Sequence, residues 1–317
     1  MTSLPADTQI APEPGRRRAR GRLTWARAAR ASVPYLLILP VLAAVVTVLA
    51  YPLYNVVTLS FQRYGLTELI QHSGSWIGGA NYGSVLHDSV FWHTLLRTVI
   101  FAAVNVALTI GLGTLIALLL VKVSSWLRVM LTVGLVLVWS VPAVVAVQIW
   151  YWMTNFQNGV VNYVLGAGQH DWYASTFSQL GLVTALIVWA GIPFVTITVY
   201  AGLAQVPSEL LDAAAIDGAG WFRTFRDVTF PILKPILLIL TSLSIIWDFG
   251  VFTQQYLLIR PEHLNSSNYL MGVYLFKEGY LKTDFGRGAA ISILMFVIVA
   301  VLSVVYVRKM VKAEGVA

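Results

Sequence analysis

The 317-residue chain contains no cysteine, so neither a disulfide framework nor a thiolate metal site is available to it. Its five histidines, His72, His87, His93, His170 and His263, have no metal-ligand spacing and read as solvated or interfacial side chains. The pattern G-x-x-x-x-G-K-[ST] does not occur, so the loop whose backbone amides and lysine cradle nucleotide phosphates is missing. Charge is scarce as well. Asp, Glu, Lys and Arg make up 11% of the residues against 58% hydrophobic ones, a balance far from that of a soluble domain. No repeat of fixed period and no separate water-soluble domain is present, which leaves one membrane domain as the simplest organisation.

What is there is apolar length. A helix needs about 20 residues to cross a hydrocarbon core, and six stretches qualify: 34–59, 94–121, 129–153, 177–203, 235–259 and 288–307. The expected fold is an all-α membrane protein of six transmembrane helices. Basic residues set its orientation, because Lys and Arg are retained on the cytoplasmic side. Arg16, Arg17, Arg18, Arg20, Arg22, Arg27 and Arg30 precede the first stretch, Lys122 and Arg128 follow the second, Arg223, Arg226 and Lys234 follow the fourth, and Arg308, Lys309 and Lys312 follow the last. Both termini are therefore expected in the cytoplasm. Residues 1–30 read as a disordered basic arm and 31–317 as the transmembrane domain. The net charge of +7 is a topology signal with anionic-lipid contact rather than a nucleic-acid surface, since no aromatic-basic recognition pattern accompanies the arginines.

Asp248 is the only acidic residue in these stretches and is placed near the middle of the fifth. An acid there costs about 2.5 to 3.5 kcal/mol to insert, so it should face protein or water. Its two readings are a lining residue of a pathway and a hydrogen bond between helices. Other polar residues in the stretches, among them Asn105, Thr196, Thr198 and Gln254, read as contacts between helices. Trp150, Tyr151 and Trp152 offer a stacking platform for a ligand or, as preferred here, an aromatic belt at the membrane interface. No Lys or Arg lies in the middle of a stretch, so nothing is placed to neutralise an anion crossing the bilayer, and an uncharged cargo fits best.

The most informative segment is polar and glycine-broken, between the fourth and fifth stretches. Ser208 is expected to cap a helix starting near Glu209, with Glu209 and Asp212 on its electropositive first turn, and Gly218 and Gly220 are expected to end it. Leu211, Ala214, Ala215 and Gly218 recur at i, i+3, i+4 and i+7 and would form one small-residue face open to another protein. Without a partner, the segment is simply a surface helix joining two spans.

Here the chain resembles the permease subunits of ATP-binding-cassette importers. Their cytoplasmic signature runs E-A-A, three residues, Gly, nine residues, a hydrophobic residue, any residue, Leu and Pro. The chain has Asp212-Ala213-Ala214, Gly218 and Val228-Thr229-Phe230-Pro231, with Asp for Glu, Val for Ile and Phe for Leu. Tyr51-Pro52-Leu53-Tyr54, Leu59-Ser60-Phe61, Gly78, Asn81-Tyr82, Asp88, Phe91-Trp92 and Gly159-Val160-Val161-Asn162 extend the resemblance to sugar importers of the maltose-permease type. The tail lacks the ending of the G-type partner, so the chain resembles the F-type half.

That resemblance implies a coupling helix within 204–234, with Glu209, Leu211, Asp212, Ala213, Ala214, Ala215, Asp217, Gly218 and Pro231 contacting an ATPase. It implies a sugar pathway along Trp247, Asp248, Phe249, Phe252 and Gln255. It also implies a second, non-identical permease of the maltose G type, two copies of a cytoplasmic ATPase that binds the ATP and Mg, an external solute-binding protein, and a bacterial or archaeal cytoplasmic membrane. This chain would then carry no cofactor and no catalysis. Two alternatives stand beside it. An ion-coupled secondary transporter usually needs several intramembrane carboxylates, and a membrane scaffold or receptor subunit needs no pathway.

Overall fold

The computed structural model describes residues 37–313, the last five by backbone alone. The basic arm expected at 1–30 lies outside the described residues. The chain divides into two compact units, one up to Val56 and one from Val57 to Ala317. The described part of the first is helix, the start of α1 (Leu37–Ser60). Pro52 is accommodated there by a widened turn at Val46–Ala50, in which Tyr51 N–H bonds five residues back to Val46 O, because proline cannot supply a donor to a regular ladder.

In the second unit a short hairpin, β1 (Gln62–Arg63) antiparallel to β2 (Ser75–Trp76), encloses α2 (Leu66–Gln71) and leads to α3 (Ala80–Leu86). The Asn81 amide donates to the Ser60 and Gln62 carbonyls at 3.0 and 2.9 Å and fixes the hairpin to the end of α1. α4 (Ser89–Lys122) starts at Asp88, whose carboxylate accepts from Val90 N–H at 2.9 Å. α5 (Ser125–Trp139), α6 (Ala143–Met153), α7 (Val160–Leu165) and α8 (Thr176–Leu203) follow. The remaining elements are α9 (Ser208–Ile216), α10 (Trp221–Phe249), α11 (Thr253–Ile259), α12 (Met271–Phe276) and α13 (Phe285–Ala313).

α4 and α8 form the central pair, and small residues explain how closely they approach. A Cβ on Gly113 would stand 2.6 Å from Val195 Cγ1, and one on Gly191 would stand 2.9 Å from Thr109 Cγ2. Small residues are the usual device for packing helices where water supplies no driving force. Around that seam Ala117, Val195, Val199, Leu233 and Leu240 make a buried cluster that brings in α10.

Among the described residues five helices, α1, α4, α8, α10 and α13, are long and apolar enough to span a membrane, and α5 with α6 makes a sixth if the bent pair is one span. The architecture is the expected all-α membrane fold, with three corrections. The stretch 129–153 is not one straight helix but two, bent by 99°. Pro142 lacks a donor and biases Val141 away from helical angles, which ends α5. The fifth stretch, expected at 235–259, instead runs as α10 and stops at Phe249. Gly250 ends it, and α11 begins only after Phe252. Asp248 therefore sits in the last turn of α10, not at mid-span. Finally, Ser208 is not a cap, because Pro207 occupies the N-cap position and no side-chain bond is made there.

The bundle has two distinct ends. At one, Lys122 of α4, Leu203 of α8, Leu211 of α9 and Trp221 of α10 meet. At the other, the starts of α4 and α13 are joined by Asp88, which takes Arg287 Nη2 at 2.6 Å and the Tyr274 hydroxyl at 2.9 Å. Buried Glu278 adds contacts to Arg287 at 3.3 Å and to Lys282 at 2.8 Å.

Candidate functional site

Two places carry the functional candidates. The first is the turn between α8 and α10. α9 ends in a paired backbone motif: Ala219 N–H bonds to Ala214 O at 2.9 Å and Gly218 N–H to Ala215 O at 3.1 Å. This closure needs a left-handed residue, and Gly218 supplies it at φ +70°. A Cβ at Gly218 would meet nothing within 4 Å, so glycine is required there by backbone conformation and not by crowding. Gly220 then stands as the N-cap of α10. Farther on, Pro231 is tolerated because a second widened turn, Phe225–Thr229, lets Phe230 N–H bond to Phe225 O.

The expected partner face of α9 splits. Leu211 lines a cavity of about 170 Å3 with Leu118, Lys122, Trp221 and Phe225, and Ala214 is half-buried, so both turn toward the chain itself. Ala215 and Gly218 remain exposed, as do Glu209, Asp212 and Asp217. The outward face is Leu210, Ala213 and Ile216, and Ile216 is 87% exposed. Sequence spacing marked a stripe but could not tell inside from outside, because both faces of α9 are small and apolar. Beneath it, the Lys122 ammonium lies 5.5 Å from the Trp221 ring centroid, and Trp221 stacks on Phe225 at 6.2 Å. These contacts hold the start of α10 against the end of α4, beside the cavity that Leu211 enters from α9 and Leu203 from α8.

The second place is a cavity of about 210 Å3 enclosed by α4, α5, α8, α10 and the start of α11. Three rings form its wall: Trp139 stacks on Phe194 at 5.9 Å, and Phe194 meets Trp247 edge-on at 5.5 Å. Asp248, Ser244, Thr109 and Gln254 supply the polar lining. Asp248 is only 6% exposed, yet it has no hydrogen-bond or ion-pair partner among the described residues. A buried carboxylate of this kind calls for donors from water or a ligand.

Of the five pathway candidates, the cavity gathers Trp247 and Asp248 but not the others. Phe249 is buried in the core with Phe91 and Tyr274. Phe252 packs on Tyr256 and Phe276 at 5.2 and 5.0 Å. Gln255 is fully buried and structural, donating to Asn268 O and accepting from Leu270 N–H at 3.1 Å. A continuous helix would have put Asp248, Phe252 and Gln255 on one face, and the break at Gly250 removes that register. Trp139, Phe194, Ser244 and Thr109 were not foreseen as lining residues, and Gln254 was expected only as a packing contact. The only sequence signal was their small or aromatic character opposite one acid.

Asn105 and Thr198 do not make the expected ties between helices with the hydrogen bonds they donate. Asn105 Nδ2 donates to Phe101 O and Thr198 Oγ1 to Phe194 O, each within its own helix. Thr196 Oγ1 has no partner among the described residues. Trp150 and Tyr151 are not a simple belt either: Trp150 packs on Trp189 at 6.1 Å, and Arg260 lies 3.7 Å over the Tyr151 ring. Only Trp152 stays exposed.

The family described as binding-protein-dependent transport system inner membrane component matches residues 109–311. The chain is 41% identical to the diacetylchitobiose uptake system permease protein DasB of Streptomyces coelicolor, covering 98% of this chain and 96% of that protein. It is 32% identical to the trehalose/maltose transport system permease protein MalF of Thermococcus litoralis, over 88% of this chain and 93% of that one. Among solved structures, a bacterial ABC transporter involved in the import of the acidic polysaccharide alginate superposes with a TM-score of 0.78 at 16% identity, covering 90% of this chain and 97% of its own.

Proposed function

The chain belongs to the family of binding-protein-dependent transport system inner membrane components, and from that premise we propose that it is the F-type half of the pathway of an ATP-driven sugar importer. As a permease subunit it is a multi-pass membrane protein and not itself an enzyme. The cargo is an uncharged sugar or oligosaccharide, with diacetylchitobiose and trehalose or maltose the first to test. The near-full-length similarity to DasB carries this reading.

The importer would comprise this chain, a second permease of the maltose G type, two copies of an ATPase holding ATP and Mg, and an external solute-binding protein. Residues 31–317 form its transmembrane domain, and the arm at 1–30 contacts anionic lipid from the cytoplasm. Both termini and the coupling loop 204–234 lie on the ATPase side, an orientation supported by the arginines and lysines near those segments. Glu209, Asp212, Ala213, Ala215, Asp217 and Gly218 meet the ATPase, together with Leu210 and Ile216. Leu211 and Ala214 hold this knob against the bundle, and exposed Pro231 extends the face that meets the ATPase.

α10 links the two places mechanically. It starts at Trp221 under the knob and ends with Asp248 at the cavity, about 40 Å away at 1.5 Å per residue. The helix is continuous over that length, and the widened turn at Phe225–Thr229 and Pro235 are the points at which it can flex as a tilt passes from one end to the other. Alternating access then requires only that the ATP-bound state and the state favoured by the binding protein be the same conformer.

Proteoliposomes holding the assembled transporter, with ATP inside and loaded binding protein outside, test the reading. Labelled sugar should accumulate and continue to do so after an ionophore collapses the ion gradients. Uptake that follows the gradient and ignores ATP would instead establish the secondary-transporter alternative.

A further inference from the structure

A groove of about 510 Å3 lies between the first turns of α4 and α8, away from both sites above. Its walls include Ile100 and Val104 from α4 and Leu180 and Gly181 from α8, and its polar lining includes His93 and Arg97. Counted from Ser89, His93 lies about 6 Å along α4, Arg97 about 12 Å and Val104 about 22 Å. The Arg97 guanidinium therefore occupies headgroup depth and the apolar trough runs below it, the order of a phospholipid.

Two further observations point to an occupant. The Arg97 guanidinium is clamped by Nη1, which donates to Tyr269 O at 2.7 Å and Ser266 O at 3.2 Å. Its other nitrogens have no partner, and no carboxylate pairs with it among the described residues. A half-buried cation against an apolar wall calls for an anion. Gly181 forms part of the trough, and a Cβ there would meet nothing within 4 Å. Glycine is a poor choice inside a helix, and no described neighbour requires it.

We infer that this groove binds one anionic phospholipid, its phosphate held by Arg97 beside His93 and one acyl chain lying over Gly181 along Ile100 and Val104. A guanidinium with free donors suits phosphate oxygens, and in the proposed topology this end of α4 meets the outer leaflet. A helix from another protein would fill the trough but would leave Arg97 unneutralised unless it brought its own acid. The lipid would also brace the segment that Arg97 holds. Asn268 in that segment donates to Gln179 Oε1 at 2.7 Å in a buried amide network.

Native mass spectrometry of the full chain released from micelles of equal phosphatidylglycerol and phosphatidylcholine tests the assignment. One phosphatidylglycerol should be retained in preference by about tenfold or more, the scale of a charge-assisted hydrogen bond. Arg97→Gln, which keeps a donor for the two carbonyls, should erase the preference. Gly181→Leu, which leaves the arginine intact and fills the trough, should release both lipids, so the proposal is decided even if the Arg97 variant fails to fold. Equal retention of both lipids by the wild type, or unchanged retention in Gly181→Leu, would overturn it. Loss of a co-purifying second permease in Gly181→Leu, with lipid retention unchanged, would assign the groove to protein contact instead.

Discussion

Ala213→Trp should reduce ATP-driven sugar uptake about 10- to 100-fold while the chain still inserts and accumulates normally. Ala213 lies on the outward face of α9 between Leu210 and Ile216, and its side chain is exposed, so the added ring meets nothing within the chain. It would instead stand where the ATPase has to close. Overfilling a close contact costs about 1 to 3 kcal/mol, which corresponds to the stated loss. Gly218→Ala should act differently, by forcing a side chain into the left-handed conformation at φ +70° at a cost of about 1 to 2 kcal/mol. Its defect should be loosened attachment of α9, read as faster proteolysis of the 204–234 loop. Normal uptake in Ala213→Trp would move the ATPase contact off this face.

Asp248→Leu should abolish uptake and stimulation of the ATPase by loaded binding protein, yet insert more readily, because it removes a buried carboxylate that has no partner among the described residues. Asp248→Asn should retain part of the activity. A carboxylate accepts hydrogen bonds from sugar hydroxyls through both oxygens, whereas an amide offers only one acceptor. The difference between a charged and a neutral hydrogen bond, about 1 to 2 kcal/mol, gives an intermediate loss of about 5- to 30-fold. The same ordering is not expected for Gln255, whose amide is fully committed to Asn268 and Leu270. Gln255→Leu should lower yield and thermal stability before it alters sugar preference. Wild-type uptake in Asp248→Leu would remove the carboxylate from the pathway.

Much of the fold was legible because membrane crossing imposes one strong rule: an uninterrupted apolar length with every backbone group paired inside the helix. The end of α1, the limits of α4 and α8 and the start of α13 fall within about five residues of the apolar stretches. The errors came where a local residue broke an apolar run without changing its composition. Pro142 divides α5 from α6, and Gly250 ends α10, yet the runs around both stay hydrophobic, so length alone joined what the backbone separates. The coupling turn was legible as a motif, since Gly218 and Gly220 have only a few structural uses. Which side of α9 faces outward was not legible, because that depends on Trp221 and Lys122, neighbours supplied by other elements. The cavity around Asp248 was half legible: a lone intramembrane acid marks a place, but its aromatic wall is assembled from Trp139, Phe194 and Trp247 on three helices, and no spacing in one segment records that.

The most direct measurement places a photo-crosslinking amino acid at Ala213 or, in a separate variant, at Ala214, and identifies the protein captured in intact membranes. The account predicts that position 213 captures an ATPase subunit, more strongly during turnover, while half-buried position 214 gives little intermolecular product. Capture of the external binding protein at 213, or equal capture of the ATPase from both positions, would contradict it.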